Sequence, residues 1–426
     1  MRIAWGQDSI DLAFEEGRLV EVVSPKAILP NSTAIQSSIQ NPINFKDFES
    51  FISDKHRILV VVNDHTRSTP TADALKCLNL KGKEVTTIIA SGTHRPPNQV
   101  ELHAIIGGDA PPYGGKIAIH NCRDKDSLRL LGRTSRGTEV YLNSLLFDAD
   151  GIIPVTSVEP HYFAGFTGGR KFLLPALAGF NSIVTNHCLA GEKDARLLAL
   201  EGNPVHEDFM ETLSMFGRID DIFSIQLVLN RESQVSYACA GNILESFKQA
   251  VEHAKDIYVP KISRKADIVV SVNEPPLDID LYQSQKALQN VEYAVKQGGI
   301  IILVSSCPEG IGDEHFYKLL TSDKANTNGE NARKFGYHKV VKLTNLLNNA
   351  QVFAVTNLPA SIPKAIGLTP YQNAQEALAD ATKAKGKDSE VLVVLDAAIT
   401  VPVTDETSLR YTTNPTLNAS NAPRLG

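Results

Sequence analysis

Three runs of β-branched and aliphatic residues, Arg57 to Val62, Glu84 to Ile89 and Asp150 to Val155, each lead into a loop dense in histidine and charge. The first enters Asp64-His65-Thr66-Arg67-Ser68-Thr69-Pro70 and the second Ser91-Gly92-Thr93-His94-Arg95-Pro96. The third enters Glu159-Pro160-His161-Tyr162-Phe163-Ala164-Gly165-Phe166-Thr167-Gly168-Gly169-Arg170-Lys171. Continuous apolar runs bounded by turn residues suit strands buried on both faces, as in parallel sheets covered by helices. Open sheets of that kind bind ligands at the carboxyl ends of their strands. The pattern predicts an α/β fold in which three reactive loops share one crevice.

A second α/β unit is expected after Pro260. Lys265 to Val272 reads as a strand, Tyr282 to Lys296 as a helix ending at Gly298-Gly299, and Ile300 to Ser305, Val352 to Val355 and Glu390 to Leu395 as further strands, with a helix near Asn373 to Lys383. The pattern therefore divides the chain into residues 1–260, an amino-terminal α/β domain, and residues 261–426, a Rossmann-like α/β domain, with a cleft between them. Thr412 to Gly426 reads as a polar tail.

Composition narrows the partners. With 42 Lys and Arg against 48 Asp and Glu and no lysine-rich block, neither nucleic acid nor an anionic membrane is the expected partner. Cys77, Cys122, Cys188, Cys239 and Cys307 are odd in number and contain no C-x-x-C pair, so free thiols are expected rather than a disulfide framework or zinc ribbon. The start of the chain meets Asp8 before any apolar run a secretory signal requires, and no run of about 18 apolar residues follows. A cytoplasmic protein with small-molecule partners is the expectation.

Gly168 and Gly169 let the third loop turn tightly and approach a ligand, and Arg170 and Lys171 add positive charge for a phosphate or carboxylate. The segment is not a Walker A sequence, since Arg170 stands where that pattern needs glycine and Phe172 replaces its Ser or Thr, and no G-x-G-x-x-G fingerprint is present. Downstream stand Asn186-His187 and Tyr282-Gln283-Ser284-Gln285-Lys286. Each residue has a quieter reading: His94 bonded within its loop, His187 a core histidine, Asp64 a turn cap, Lys286 a solvated helix residue. Asn203-Pro204-Val205-His206-Glu207-Asp208 lacks H-E-x-x-H spacing and reads as the acidic start of a helix ending near Phe216. Ser305 to Gly312 follows a strand and is a candidate lining for the cleft.

In order and over roughly residues 55 to 310, the segments Asp64 to Pro70, Thr93 to Pro96, Glu159 to Lys171 and Tyr282 to Lys286 together resemble the nickel-dependent lactate racemase family. The resemblance implies a nickel-pincer nucleotide joined covalently to Lys171, with His187 ligating nickel and Asp64, Thr167, Gly168, Gly169 and Arg170 around the cofactor. It implies His94 and His161 as the two catalytic bases, and Arg67, Tyr282, Gln283 and Lys286 as substrate-binding residues. Cofactor biosynthesis proteins are implied as partners.

That chemistry fits the residue types. The C–H bond beside a 2-hydroxyl is too weakly acidic for histidine to break, so hydride transfer to an electrophilic cofactor is the easier route to inversion. A base must then take the hydroxyl proton, and two bases on opposite sides of a planar keto acid serve the two enantiomers. The expected activity is racemisation or epimerisation of a 2-hydroxy acid. The alternatives are a hydroxy acid dehydrogenase or lyase using another cofactor, and a non-catalytic protein that binds a nickel cofactor. The family is expected to place a tryptophan over lactate, yet the sole tryptophan here is Trp5. Phe335-Gly336-Tyr337-His338-Lys339 lies near the matching region, and Tyr337 or His338 there favours a larger or more polar acid than lactate.

Overall fold

A computed structural model describes residues 1–15, 20–321 and 336–405. The three predicted strands form as Arg57–Asn63, Glu84–Ala90 and Gly151–Ser157. They lie side by side and parallel, with Arg57–Asn63 in the middle; Val60 stands opposite Thr87 on one side and Ile153 on the other. Lys116–Ile119 extends the sheet at one edge, and Ser224–Leu229 with its antiparallel partner Val235–Gly241 at the other.

Both faces of the sheet are buried, as the unbroken apolar runs required. Leu59, Val61, Ile88 and Ile152 enter one core, and Ile58, Val60, Val62 and Ile153 the other. Each such side chain contributes about 1.5–3 kcal/mol by leaving water. Three neighbouring parallel strands thus deliver the loops of Asp64, His94 and His161 to the same edge.

The second sheet has the order Thr369–Tyr371, Gln351–Val355, Val295–Val304, Ala266–Val272, Val391–Val394 and Val20–Val23, all parallel. Its last strand departs from the division at residue 260. Val20–Val23 pairs with Val391–Val394, and Ile3 and Leu12 pack with Ile268 and Val270, so residues 2–12 and 20–23 belong to the second unit. The chain passes between the units where Lys26 N donates to Ile257 O, Val401 N to Tyr258 O and Val403 N to Pro260 O. The predicted helix from Tyr282 is shorter than expected: it spans Leu281–Val291, and the strand begins at Val295 and contains both glycines. Helix Ala374–Lys385 forms where expected, capped by Asn373. Thr412 to Gly426 and Phe335 lie outside the described residues.

All five cysteines are free, with Cys122, Cys239 and Cys307 buried. No helix among the described residues is long and apolar enough to cross a membrane.

Candidate active site

The cleft between the two units is lined by Asp64, Arg67, His94, His161, Thr167, Gly168, Lys171 and His187 from the first and by Tyr282, Gln283, Lys286, His338 and Lys339 from the second. It encloses roughly 1000 Å³ counting its open mouth.

The first two loops build a dyad. His94 Nδ1 donates to Asp64 Oδ2 at 2.7 Å, and Asp64 Oδ1 accepts from Thr66 N at 3.1 Å and Thr66 Oγ1 at 2.7 Å. Burial pushes the Asp64 carboxyl up, but the His94 imidazole and these hydrogen bonds outweigh it and bring it down to about 2. A carboxylate held on Nδ1 leaves His94 Nε2 free to exchange a proton. That nitrogen lies 3.5 Å from Gln283 Nε2 across the cleft.

His161 opens a small hairpin in which Pro160–His161 pairs antiparallel with Gly165–Phe166. Its Nδ1 accepts from Ala164 N at 3.4 Å, and its ring stacks on Tyr162 at 5.2 Å. Burial, then Lys171, Lys286 and Arg67, hold it well below the ordinary histidine value.

Beyond the hairpin, Gly168 and Gly169 adopt φ of +78° and +52°. A Cβ on Gly168 would meet Val158 Cγ2 at 2.6 Å, and one on Gly169 the Phe247 ring at 2.7 Å. The close approach that requires glycine is therefore to the protein's own core at both positions. Gly169 N donates to Gln226 Oε1 at 2.9 Å and does not line the cleft. Thr167 does, yet its hydroxyl is engaged by Glu159 N and Ser157 O.

Arg170 points the other way from the expected anion. It is 1% exposed and gives Nη1 to Phe166 O and Gly168 O, Nη2 to Ala164 O and Nε to His206 Nδ1. Its guanidinium rests on the Phe247 ring at 4.5 Å, and burial lowers it to about 9. Arg170 is a clasp that fixes the loop carrying Lys171. Arg170→Ala is expected to destabilise the fold by about 3 kcal/mol or more, since the three loop carbonyls lose their donor. Urea unfolding of cofactor-free protein measures this, and an unchanged midpoint would contradict the clasp.

The side chains of Lys171 and Lys286 both reach the cleft and, among the described residues, make no hydrogen bond or ion pair. Burial holds Lys171 well below the usual lysine value, with Arg67, Arg170 and Lys286 adding to it. Lys286 is held down by burial, then by Arg67 and Lys339. Lys339 Nζ donates to Tyr282 O at 2.5 Å, lies 4.0 Å from the Tyr282 ring centre, and is lowered by burial to about 7. Arg67 is paired, through Nη1, with Glu159 Oε2 at 2.9 Å. Cations so crowded favour an anionic occupant.

Helix Leu281–Val291 starts with Asp280 accepting from Gln283 N, and its register sets Gln283 and Lys286 one turn apart. The Ser305 to Gly312 loop supports this start: Gly310 O and Ile311 O accept from Leu281 N and Tyr282 N. It is not part of the cleft lining. The helix read from the sequence forms as Pro204–Phe216, and the structure adds Asn203 as its cap. Of the two side chains considered near 337, His338 lines the cleft, with its ring 5.1 Å from Phe163 and 5.5 Å from His187. Arg95 joins the units at the rim through Glu101 and Glu309.

Sequence reasoning passed over Ser91, Tyr162 and Lys339. Ser91 Oγ, Tyr162 Oη, Gln283 Oε1 and His338 Nε2 are buried, border this one cleft, and have no hydrogen-bond partner within the described protein. Buried polar atoms are rarely left so, and four of them on residues that line one cleft are what a polar ligand would satisfy.

Two α/β units meet at a cleft that gathers two histidines and, among the described residues, two lysine side chains without a hydrogen bond or ion pair, an arrangement suited to acid–base chemistry on a small molecule. Comparison with known proteins narrows the class: a lactate racemase N-terminal domain matches residues 5–197 and a lactate racemase C-terminal domain residues 261–403. Lactate racemase of Thermoanaerobacterium thermosaccharolyticum is 28% identical over 93% of this chain and 97% of its own, and that of Lactiplantibacillus plantarum 31% over 68% and 70%. The solved T. thermosaccharolyticum lactate racemase apoprotein superposes with a TM-score of 0.86 at 26% identity, covering 94% of this chain and 99% of that one. A crystal structure of a Thermotoga maritima protein shares the fold, with a TM-score of 0.65 at 18% identity over 88% of this chain and 98% of that one. The chain belongs to the lactate racemase family and is an isomerase.

Proposed function

We propose that this protein inverts the C2 centre of a 2-hydroxy acid, with a nickel-pincer nucleotide bound at Lys171. The observation that carries the reading is the convergence of His94 and His161, from the two strands flanking Arg57–Asn63, on a cleft where Lys171 and Lys286 form no ion pair among the described residues.

The residues present fit such a group. Burial disfavours the charged form of the Lys171 amine, and an amine so held is a nucleophile suited to acylation. Among the described residues no cluster of three His, Cys, Asp or Glu side chains stands ready to hold a metal. His187, which lines the cleft beside Lys171, would be the protein donor to the metal. Burial, then Lys171, lowers His187 to about 3, so its ring is neutral as a ligand must be. When bound, the cofactor supplies the acceptor for the C2 hydrogen.

The chain's own residues do the rest. Arg67 and Lys286 hold the substrate carboxylate, one as a planar fork and the other as a point charge. His94, oriented by Asp64, takes the hydroxyl proton of one enantiomer and His161 that of the other. Tyr282, Gln283 and the rest of the second unit cover the cleft and exclude water from the planar keto acid.

The test is a chiral assay on protein co-produced with the cofactor-making machinery, over a panel of 2-hydroxy acids. Loss of optical purity without net oxidation is expected; no racemisation of any member by nickel-loaded protein would overturn the proposal. Within the panel, acids with a second polar group are expected to exceed lactate in kcat/KM by about 10- to 100-fold. Lactate leaves His338 Nε2 unpaired, and an unpaired buried polar group costs about 1–3 kcal/mol. Lactate ranking first would refute that preference.

A further inference from the structure

We infer that Asn186 and Asp208 are positioning residues that fix which nitrogen of His187 carries the proton. The inference rests on the proposed role of His187 as metal donor, and it begins at a buried carboxylate outside the cleft. Asp208, 0% exposed on helix Pro204–Phe216, accepts from Thr134 Oγ1 at 2.6 Å, Thr138 Oγ1 at 2.9 Å and Asn186 Nδ2 at 2.8 Å. The Thr134 hydroxyl itself accepts from Thr138 N at 3.1 Å, which commits its one proton to Asp208.

A carboxylate with three donors around it can only accept, so it faces the amide nitrogen of Asn186 and not the amide oxygen. Asn186, also 0% exposed, therefore turns Oδ1 to the opposite side, where it lies 3.2 Å from His187 Nδ1. A carbonyl oxygen has no proton to give, so Nδ1 must carry one. A neutral imidazole has a single N–H, and Nε2 is left as a bare lone pair. The order of the relay is Thr134 and Thr138, Asp208, Asn186, His187, with the Ile183 carbonyl one turn back as a further acceptor beside the imidazole.

The result is an imidazole set to donate electrons through Nε2 before any metal arrives. Partners of this kind on the remote nitrogen of a metal-binding histidine are worth about 10- to 100-fold in metal affinity. The acidic stretch ahead of Phe216 thus acts on the site through Asp208, although it supplies no ligand.

The first test needs no variant. In cofactor-free, full-length protein labelled with 15N at histidine, the His187 ring is expected to show the Nδ1–H form at a pH where it is neutral; an Nε2–H form overturns the inference. Asp208→Asn, which keeps shape but offers an amide in place of the carboxylate, is expected to yield mixed tautomers. In cofactor-loaded protein it is expected to lose nickel about 10- to 100-fold more readily on dialysis against a chelator, with the covalent adduct mass at Lys171 unchanged. Asn186→Ala gives a second route to the same readouts if Asp208→Asn folds poorly. Loss of thermal stability with the tautomer and nickel retention unchanged would reduce the network to packing. Full nickel retention in His187→Ala would instead sink the donor role of His187, with the tautomer measurement still judging the relay.

Discussion

Lys171→Ala protein, produced together with the cofactor-making machinery, is expected to emerge with no covalent adduct, whereas the unaltered chain carries one. The amine of Lys171 sits in a buried cleft where its charged form is disfavoured, first by burial and then by Arg67, Arg170 and Lys286. Joining that amine to an acyl or thioacyl carbon removes its charge, so attachment relieves what burial imposes. Lys171→Arg keeps a cation and loses the nucleophile, and is expected to fail in the same way. Intact-protein mass spectrometry decides the matter: an adduct of unchanged mass in either variant would sink the assignment of Lys171.

Replacing either His94 or His161 by Ala is expected to slow racemisation in both directions by about 10²–10⁴-fold. A complete inversion uses both faces of the planar intermediate, so losing one base interrupts each direction. Asp64→Asn probes the His94 half alone. An asparagine amide has no charge to hold the His94 ring, and turnover should fall while His161 is untouched. Progress curves from each pure enantiomer measure all three variants, and near-normal rates in both histidine variants would rule out the two-base scheme.

Much of this architecture could be read from the chain because two-sided burial leaves a plain mark. Arg57–Asn63, Glu84–Ala90 and Gly151–Ser157 are apolar without alternation, and only the interior of a covered parallel sheet asks for that. Once they are neighbours, His94 and His161 reach one cleft by geometry alone. Val20–Val23 left no such mark: four residues, partly exposed at a sheet edge, do not reveal which sheet they join.

Side-chain direction was the other gap. Arg170 and Lys171 are adjacent and alike in charge, yet the turn at Gly168 and Gly169 sends one into the core and the other into the cleft, a choice made by the Phe247 ring and the carbonyls of residues 164–168. The glycines read as making room for a ligand also make room for the protein's own core, and Gly168 borders the cleft while Gly169 does not. The helix from Leu281 ends at Val291 rather than near Gly298 because Val295 already pairs with Ala266 in the sheet, a tertiary demand that no local signal announces. Ser91 and Tyr162 stood inside the quoted motifs; their missing partners become visible only when the whole cleft is assembled.

The edge strand Val20–Val23 has a bearing on how the protein is made. It leaves the ribosome early, but its partner Val391–Val394 follows roughly 370 residues later. At about 5–20 residues per second that is a wait of roughly 20 to 70 s. During that time the first sheet has all its strands and can fold, while the leading segment stays without the neighbour it needs. The second sheet is thus completed last, when Val391–Val394 reaches the strand Val20–Val23. A protein cut at residue 260 into two separately produced halves would strand this segment on the wrong piece and leave Val391–Val394 as an open edge, a surface prone to pairing with other chains.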